Sequence, residues 1–160
     1  MINIVQGNLL DATEKYICHI VNCISTTKAA GIALDIFNKY PYADCYADRT
    51  ETSKPGTLDI RGDGKNTRYI INLHGQVYPG RIRYPLSDLD GQAARRKYFY
   101  HGLLRVAKIE GLESVAFPWR IGAGLAGGDW EFNLGTIVNM EKYLEPQGVR
   151  VVIYRKEGDE

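Results

Sequence analysis

The sequence predicts an α/β protein with a mixed, mostly parallel sheet, and three observations carry that prediction. Short apolar segments alternate with segments of helical periodicity along the whole chain. Two segments, Tyr16–Asn22 and Ser114–Pro118, are apolar almost throughout, as expected of parallel strands covered on both faces. Both run straight into loops of small residues. Sheets of this class bind ligands beyond the carboxyl ends of their strands, so the site is expected at that edge.

The first strand is expected at residues 2–5 and the second at Tyr16–Asn22. Ala29, Ala30, Ala33, Ile36, Phe37 and Tyr40 then recur at helical spacing, and Pro41 stops that helix. Residues 57–60 and 68–73 read as an antiparallel pair joined by the turn chemistry of Gly62-Asp63-Gly64-Lys65-Asn66. From His74 to Tyr84 the chain is polar and irregular. A helix over 92–109 follows, with Phe99, Leu103, Val106 and Ala107 inward and Gly111 as its stop. After Ser114–Pro118, a further helix runs from about 130 to 144, with Trp130, Leu134, Ile137 and Val138 inward. Residues 149–154 form the last strand, and the charged tail over 156–160 is expected to fray. Right-handed crossovers between these strands give a layered sandwich.

Composition bounds the function. A chain of 160 residues suits one domain, 1–160, and 44% hydrophobic with 24% charged residues is that of an ordinary globular protein. No apolar stretch approaches the roughly 20 residues that cross a bilayer, and the first residues carry no signal-peptide pattern, so a cytoplasmic protein without a membrane partner is expected. A net charge of +1 argues against a phosphate-backbone binder, so nucleic acid is not the expected partner. Three irregularly spaced cysteines point to a reducing compartment. Cys18 and Cys23 lack zinc-site spacing, and Cys18 reads as a small buried apolar residue; neither a metal nor a cofactor is expected. A monomer is expected.

The sharpest local feature is Gly122-Ala123-Gly124-Leu125-Ala126-Gly127-Gly128, with four glycines in seven positions between a strand and a helix. Such a loop lets backbone N–H groups approach an anion, and the following helix N-terminus adds positive partial charge. It is neither a P-loop nor a dinucleotide fingerprint. Asn22 can exchange hydrogen bonds with a sugar diol or cap its strand. His19 is either a satisfied core histidine or a proton donor near the ligand edge. Asp129 is a helix N-cap, a catalytic carboxylate, or both. Tyr154 can stack on a base or end its strand in the core. Arg81, Arg83 and Arg120 either reach a terminal phosphate or stay solvated.

Gly7-Asn8-Leu9-Leu10, the Asn22 to Ala29-Ala30-Gly31-Ile32-Ala33 loop, the stretch from Pro118 through Ile121 and the glycines to Asp129-Trp130, and the closing Val151-Val152-Ile153-Tyr154 together resemble the macro domain. The likeness runs in order along nearly the whole chain. It implies a three-layer α/β/α sandwich that binds ADP-ribose. Asn22, Ala30, Gly31 and Ile32 would face the distal ribose, while Ile121, Gly122, Ala123, Gly124, Leu125 and Ala126 would face the diphosphate. Asn8 and Leu9 would meet the adenine, with Tyr154 against its ring. Asn8 stands where many macro domains have Asp, and Ala29-Ala30-Gly31 replaces a glycine triplet. One glycohydrolase branch places a lysine after the Tyr69-Ile-Ile-Asn-Leu73 strand and an aspartate in the glycine loop. Here His74 follows that strand and Ala126 stands in the loop, which disfavours a lysine-adduct mechanism.

The His19-x-x-Asn22-Cys23 order, the segment from Gly75-Gln76 to Arg83-Tyr84 and Gly-Leu-Ala-Gly-Gly-Asp129-Trp130 resemble the branch that removes phosphate from ADP-ribose 1″-phosphate. The expected function is therefore a metal-independent phosphatase, with His19 as general acid and Asp129 orienting or deprotonating the attacking water, or attacking directly. The alternatives are an ADP-ribosyl hydrolase or deacylase on the same fold, or a non-catalytic ADP-ribose reader.

Overall fold

The computed structural model of the chain describes residues 2–124 and 126–159. Six strands, β1 (Asn3–Gln6), β2 (Tyr16–Asn22), β3 (Leu58–Gly62), β4 (Tyr69–Gln76), β5 (Ser114–Pro118) and β6 (Arg150–Arg155), form one sheet in the order β1-β6-β5-β2-β4-β3. Every pair is parallel except β3 with β4. Helices α2 (Gln92–Ala107) and α3 (Trp130–Leu144) pack on one face, and α1 (Gly31–Lys39) with the short 3-10 turn Pro41–Ala43 packs on the other. This is a three-layer α/β/α sandwich. Among the described residues no helix is long and apolar enough to cross a membrane.

The two faces of β2 show how period-2 alternation divides the core. Cys18 joins the cluster that holds Phe99 and Leu103 of α2, Phe117 of β5 and Ile137 of α3. Ile17 and Val21 join the cluster that holds Ile36 and Phe37 of α1. Because β2 is hidden on both faces, its side chains are apolar at nearly every position.

Strand β4 runs on through His74, Gly75 and Gln76, where an irregular segment was expected. The reason lies across the sheet: a Cβ on Gly75 would sit 3.0 Å from Ile20 side-chain atoms, so the glycine makes room for a neighbour. The described part of the tail ends at Asp159. Over residues 155–159 the Asp159 carboxylate accepts from the Lys156 N–H at 2.8 Å, and the Arg155 guanidinium donates to the Asp159 carbonyl.

Strand β2 pairs with β5 only through Tyr16↔Val115 and Ile17↔Ala116. The chain moves outward in opposite directions from this point, with β4 on one side and β6 on the other. A crevice at the carboxyl ends of β2 and β5 is the expected consequence.

Helix α2 seats against β4 at Gly102, where an added Cβ would lie 2.5 Å from Leu73 Cγ. Leu73 is fully buried and cannot withdraw. Replacing glycine by alanine within a helix normally stabilises it by about 1 kcal/mol, but overpacking a close-packed core costs about 1–3 kcal/mol. Gly102→Ala is therefore expected to lower stability in chemical denaturation; an increase would mean that α2 can stand further off the sheet.

Candidate functional site

A cleft of about 370 Å³ opens where β2 and β5 end. Asn22 and the segment over 28–33 form one wall, and Pro118, Trp119, Arg120 and the turn that follows form the other. Leu9 and Tyr154 close one end, and Gln76, Pro79 and Gly80 line it from the β4 side.

The structure brings together Leu9, Asn22, Ala30, Gly31, Ile32, Ile121, Gly122, Gly124, Ala126 and Tyr154, all of which line the cleft. Ala123 is buried within its turn and lies outside the lining. Leu125 lies outside the described residues. Asn8 is also absent from the lining: its Oδ1 accepts from the Leu10 N–H at 3.0 Å and caps the 3-10 turn Leu9–Asp11, which positions Leu9 instead.

His19 is a correction. Three residues before Asn22 is an odd offset, so the imidazole projects from the opposite face of β2, roughly 10 Å deeper along the strand. It is fully buried, edge-on to Phe37 of α1, with Nε2 2.5 Å from Asn72 Oδ1 on β4. Burial pushes its pKa down to about 4, against a smaller upward pull from Asn72. It does not line the cleft, and this neutral core imidazole is not placed to protonate a ligand there.

Asp129 takes the capping role. Its Oδ1 accepts from the Phe132 N–H at 3.0 Å, and its Oδ2 accepts from Arg96 Nε at 2.9 Å. That amide and the Arg96 guanidinium hold its carboxyl below the usual carboxylate range. The side chain is absent from the cleft lining and borders a small adjoining cavity behind the glycine turn, which shares Ile20, Gln76 and Gly122 with the cleft. The anion cradle therefore differs from expectation. The N-terminus of α3 is already capped, whereas Ala30 at the head of α1 supplies no side-chain cap. Gly31, Ile32 and Ala33 present the open first turn of α1 to the cleft.

The glycine turn is coiled on itself. Ala123, Gly127 and Gly128 donate their N–H groups to Arg120, Gly124 and Gly122 carbonyls, and Asn133 of α3 anchors the Ile121 carbonyl at 2.9 Å. The N–H groups of Gly122 and Gly124 donate to no described residue. Arg120, at the entry to the turn, holds φ +59°.

Sequence reasoning missed the group that fixes the third side of the cleft. Asp90, just before α2, accepts from the Val77 and Tyr78 N–H groups and pairs with Arg95 at 2.8 Å. The Arg95 guanidinium also donates to the carbonyls of Tyr78, Gly80 and, in the glycine turn, Ala126. Both partners are buried. Charges of this kind look like solvated helix surface in a sequence; the unusual density of Gly and Pro over 79–91 was the one available signal. Lys28, Arg120 and Lys156 give the lining three cations against the single carboxylate of Asp159.

At the Leu9 end, Tyr154 Oη donates to Glu14 Oε1 at 2.6 Å, which fixes the ring from behind. Burial, with Glu14 adding to it, raises the phenol pKa.

Removing the Asp90 carboxylate leaves a buried, uncompensated guanidinium, a change that typically costs about 3–5 kcal/mol. Asp90→Ala is expected to lose stability on that scale and to weaken ligand binding; a loss under 1 kcal/mol would show that water replaces the carboxylate. His19 sets a pH dependence of definite sign. It stays neutral when folded and protonates below its ordinary value of 6.5 when unfolded, so stability is complete above that pH and falls toward about pH 4. The drop attributable to His19 is about 3 kcal/mol, and lowered His74 adds in the same direction. Urea midpoints measured across this range should flatten in His19→Gln; an unaltered profile would contradict the buried neutral imidazole.

No family model and no curated protein sequence matches the chain. Solved structures do. The macrodomain of Mycobacterium tuberculosis DarG superposes with a TM-score of 0.73 at 27% identity, over 96% of this chain and 97% of that one. The macrodomain of Thermus aquaticus DarG gives 0.65 at 26% identity, over 97% and 98%. A Trypanosoma brucei macrodomain in complex with ADP-ribose gives 0.64 at 16% identity, over 99% of this chain and 65% of that one. The chain has the macrodomain fold, and these likenesses support the macrodomain family.

Proposed function

We propose that this chain binds ADP-ribose in the cleft and hydrolyses ADP-ribose 1″-phosphate without a metal. The observation that carries the ligand is the pairing of an uncapped α1 N-terminus with three cations around the cleft, a setting suited to a diphosphate. The ADP-ribose in the similar Trypanosoma brucei macrodomain supports the same choice. Tyr154, steadied by Glu14, offers an aromatic face for the adenine at one end. Asn22 stands at the other wall, where the terminal ribose would lie.

The reaction rests on the resemblance of the glycine-turn and Gly75-Gln76 segments to the phosphatase branch, joined to the charge of the cleft. In hydrolysis, water attacks phosphorus, the P–O bond to the anomeric carbon's oxygen breaks, and that oxygen must gain a proton. With His19 in the core, Lys28 is the cleft-lining group on the β2–α1 side that carries both a proton and a positive charge. It would neutralise the terminal phosphate and protonate the departing oxygen. Asp129 would act at one remove, by holding α3 and Arg96 behind the glycine turn.

A second reading is a reader that binds ADP-ribose and leaves it intact. The placement of both His19 and Asp129 outside the cleft lining favours it.

Phosphate release from ADP-ribose 1″-phosphate, measured with EDTA present, separates the two. Turnover that survives chelation and falls about 10²-fold in Lys28→Ala is the expected result. Tight ADP-ribose binding without phosphate release would establish the reader. Liberation of ADP-ribose from a modified protein would instead select a hydrolase of another linkage.

A further inference from the structure

Gln76 was not among the residues that sequence reasoning assigned to the ligand, yet its side chain lines the cleft in a fixed orientation. It ends β4 directly beside Asn22, its register partner on β2, at a bulge between Val21 and Asn22. Only 7% of it is exposed, and it lines the cleft. Its Nε2 donates to the Tyr78 carbonyl at 2.9 Å and to the Gly80 carbonyl at 3.3 Å. Carbonyls can only accept, so the amide cannot be flipped, and both of its protons are committed. Arg95 grips the same two carbonyls. The remaining atom, Oε1, receives a hydrogen bond from no described residue.

Asn22 is committed in the complementary sense. Its Oδ1 accepts from the Ile24 and Ser25 N–H groups at 3.0 and 2.8 Å, and one Nδ2 proton goes to Ser25 Oγ at 2.9 Å. What Asn22 has left is a donor, and what Gln76 has left is an acceptor. A pair of phosphate oxygens cannot satisfy both, because each only accepts. A sugar hydroxyl pair can, since one oxygen accepts while the other donates.

We propose that Gln76 determines specificity for the terminal sugar: its Oε1 accepts from a hydroxyl of the ribose beyond the diphosphate, while Asn22 donates to the neighbouring one. This rests on the ADP-ribose reading of the cleft and deepens it. The consequence is discrimination between ADP-ribose and ADP, which lacks that sugar, by an acceptor that cannot reorient.

Calorimetric titration of the full chain with ADP-ribose and with ADP tests this in the wild type, Gln76→Met and Gln76→Ala. Arg95 still holds the Tyr78 and Gly80 carbonyls in both variants, and Met keeps the length of the side chain. The expected result is that ADP-ribose weakens about fivefold to tenfold in each variant, the scale of one hydrogen bond, while ADP affinity stays within twofold of wild type. Equal weakening of both ligands would overturn the proposal, because Gln76 would then only shape the 77–80 segment. Unchanged ADP-ribose affinity, with or without a fall in kcat, would overturn it as well. If the wild type binds neither ligand, the ADP-ribose reading itself falls, and this proposal falls with it.

Discussion

The cleft exists because β2 and β5 stop pairing after Ile17 and Ala116, and the rest of the site consists of answers to the backbone groups that this parting leaves over. Tyr46 Oη accepts from the Asn22 N–H, and the Val77 carbonyl accepts from Cys23. Arg49 binds the Asn22 and Ser25 carbonyls. Farther along the rim, the Asp90–Arg95 pair takes up the amides and carbonyls of the 77–80 segment and reaches across to Ala126. A buried ion pair is a weak device for stability alone, since desolvation offsets most of its attraction. Here it gives five irregular backbone groups charged partners, and thereby lets non-repetitive chain sit at the end of β4.

Much of the architecture was legible because both of its periodicities are strong. Tyr16–Asn22, Ser114–Pro118 and the helix over 130–144 fell where the apolar pattern put them, and the antiparallel pair was recognisable from its turn chemistry. The misreadings share one cause, which is that polar residues do not announce their direction. His19 lies in an apolar strand near a ligand edge, but only strand parity says which layer it enters. Gln76 looked like loop because Gly75 precedes it, and the Ile20 side chain that explains the glycine comes from a different strand. Asp90 and Arg95, five apart, meet only because Gly91 turns the chain into α2 with Asp90 just outside it.

Electrostatics and packing divide the labour between the two sheet faces. The α1 face holds the neutral His19–Asn72 contact, with Asn72 also donating to the Ala43 carbonyl at 2.8 Å. That network braces β2 against β4 directly below the cleft. The opposite face is sealed by hydrocarbon, with Gly102 letting α2 approach closely enough for Arg95 to reach the rim. Both layers reach the cleft, through Leu9, Ala33 and Tyr46 of one core cluster and Ile121 of the other.

The contrast between the two helix starts has a consequence for how this surface can change over evolutionary time. Asp129 silences the amino end of α3, and Ala30 leaves that of α1 open. A single exchange at position 30 to Ser or Asp would close the second terminus and place oxygen lone pairs against any anion resting there. A methyl group at that position is therefore a permissive choice: by offering no bond of its own, it reserves a row of backbone amides for a visitor. A better capping residue at position 30 would therefore strengthen the start of α1 and set its oxygen where the proposed diphosphate would rest, so helix stability and an open amide row pull in opposite directions at this one side chain.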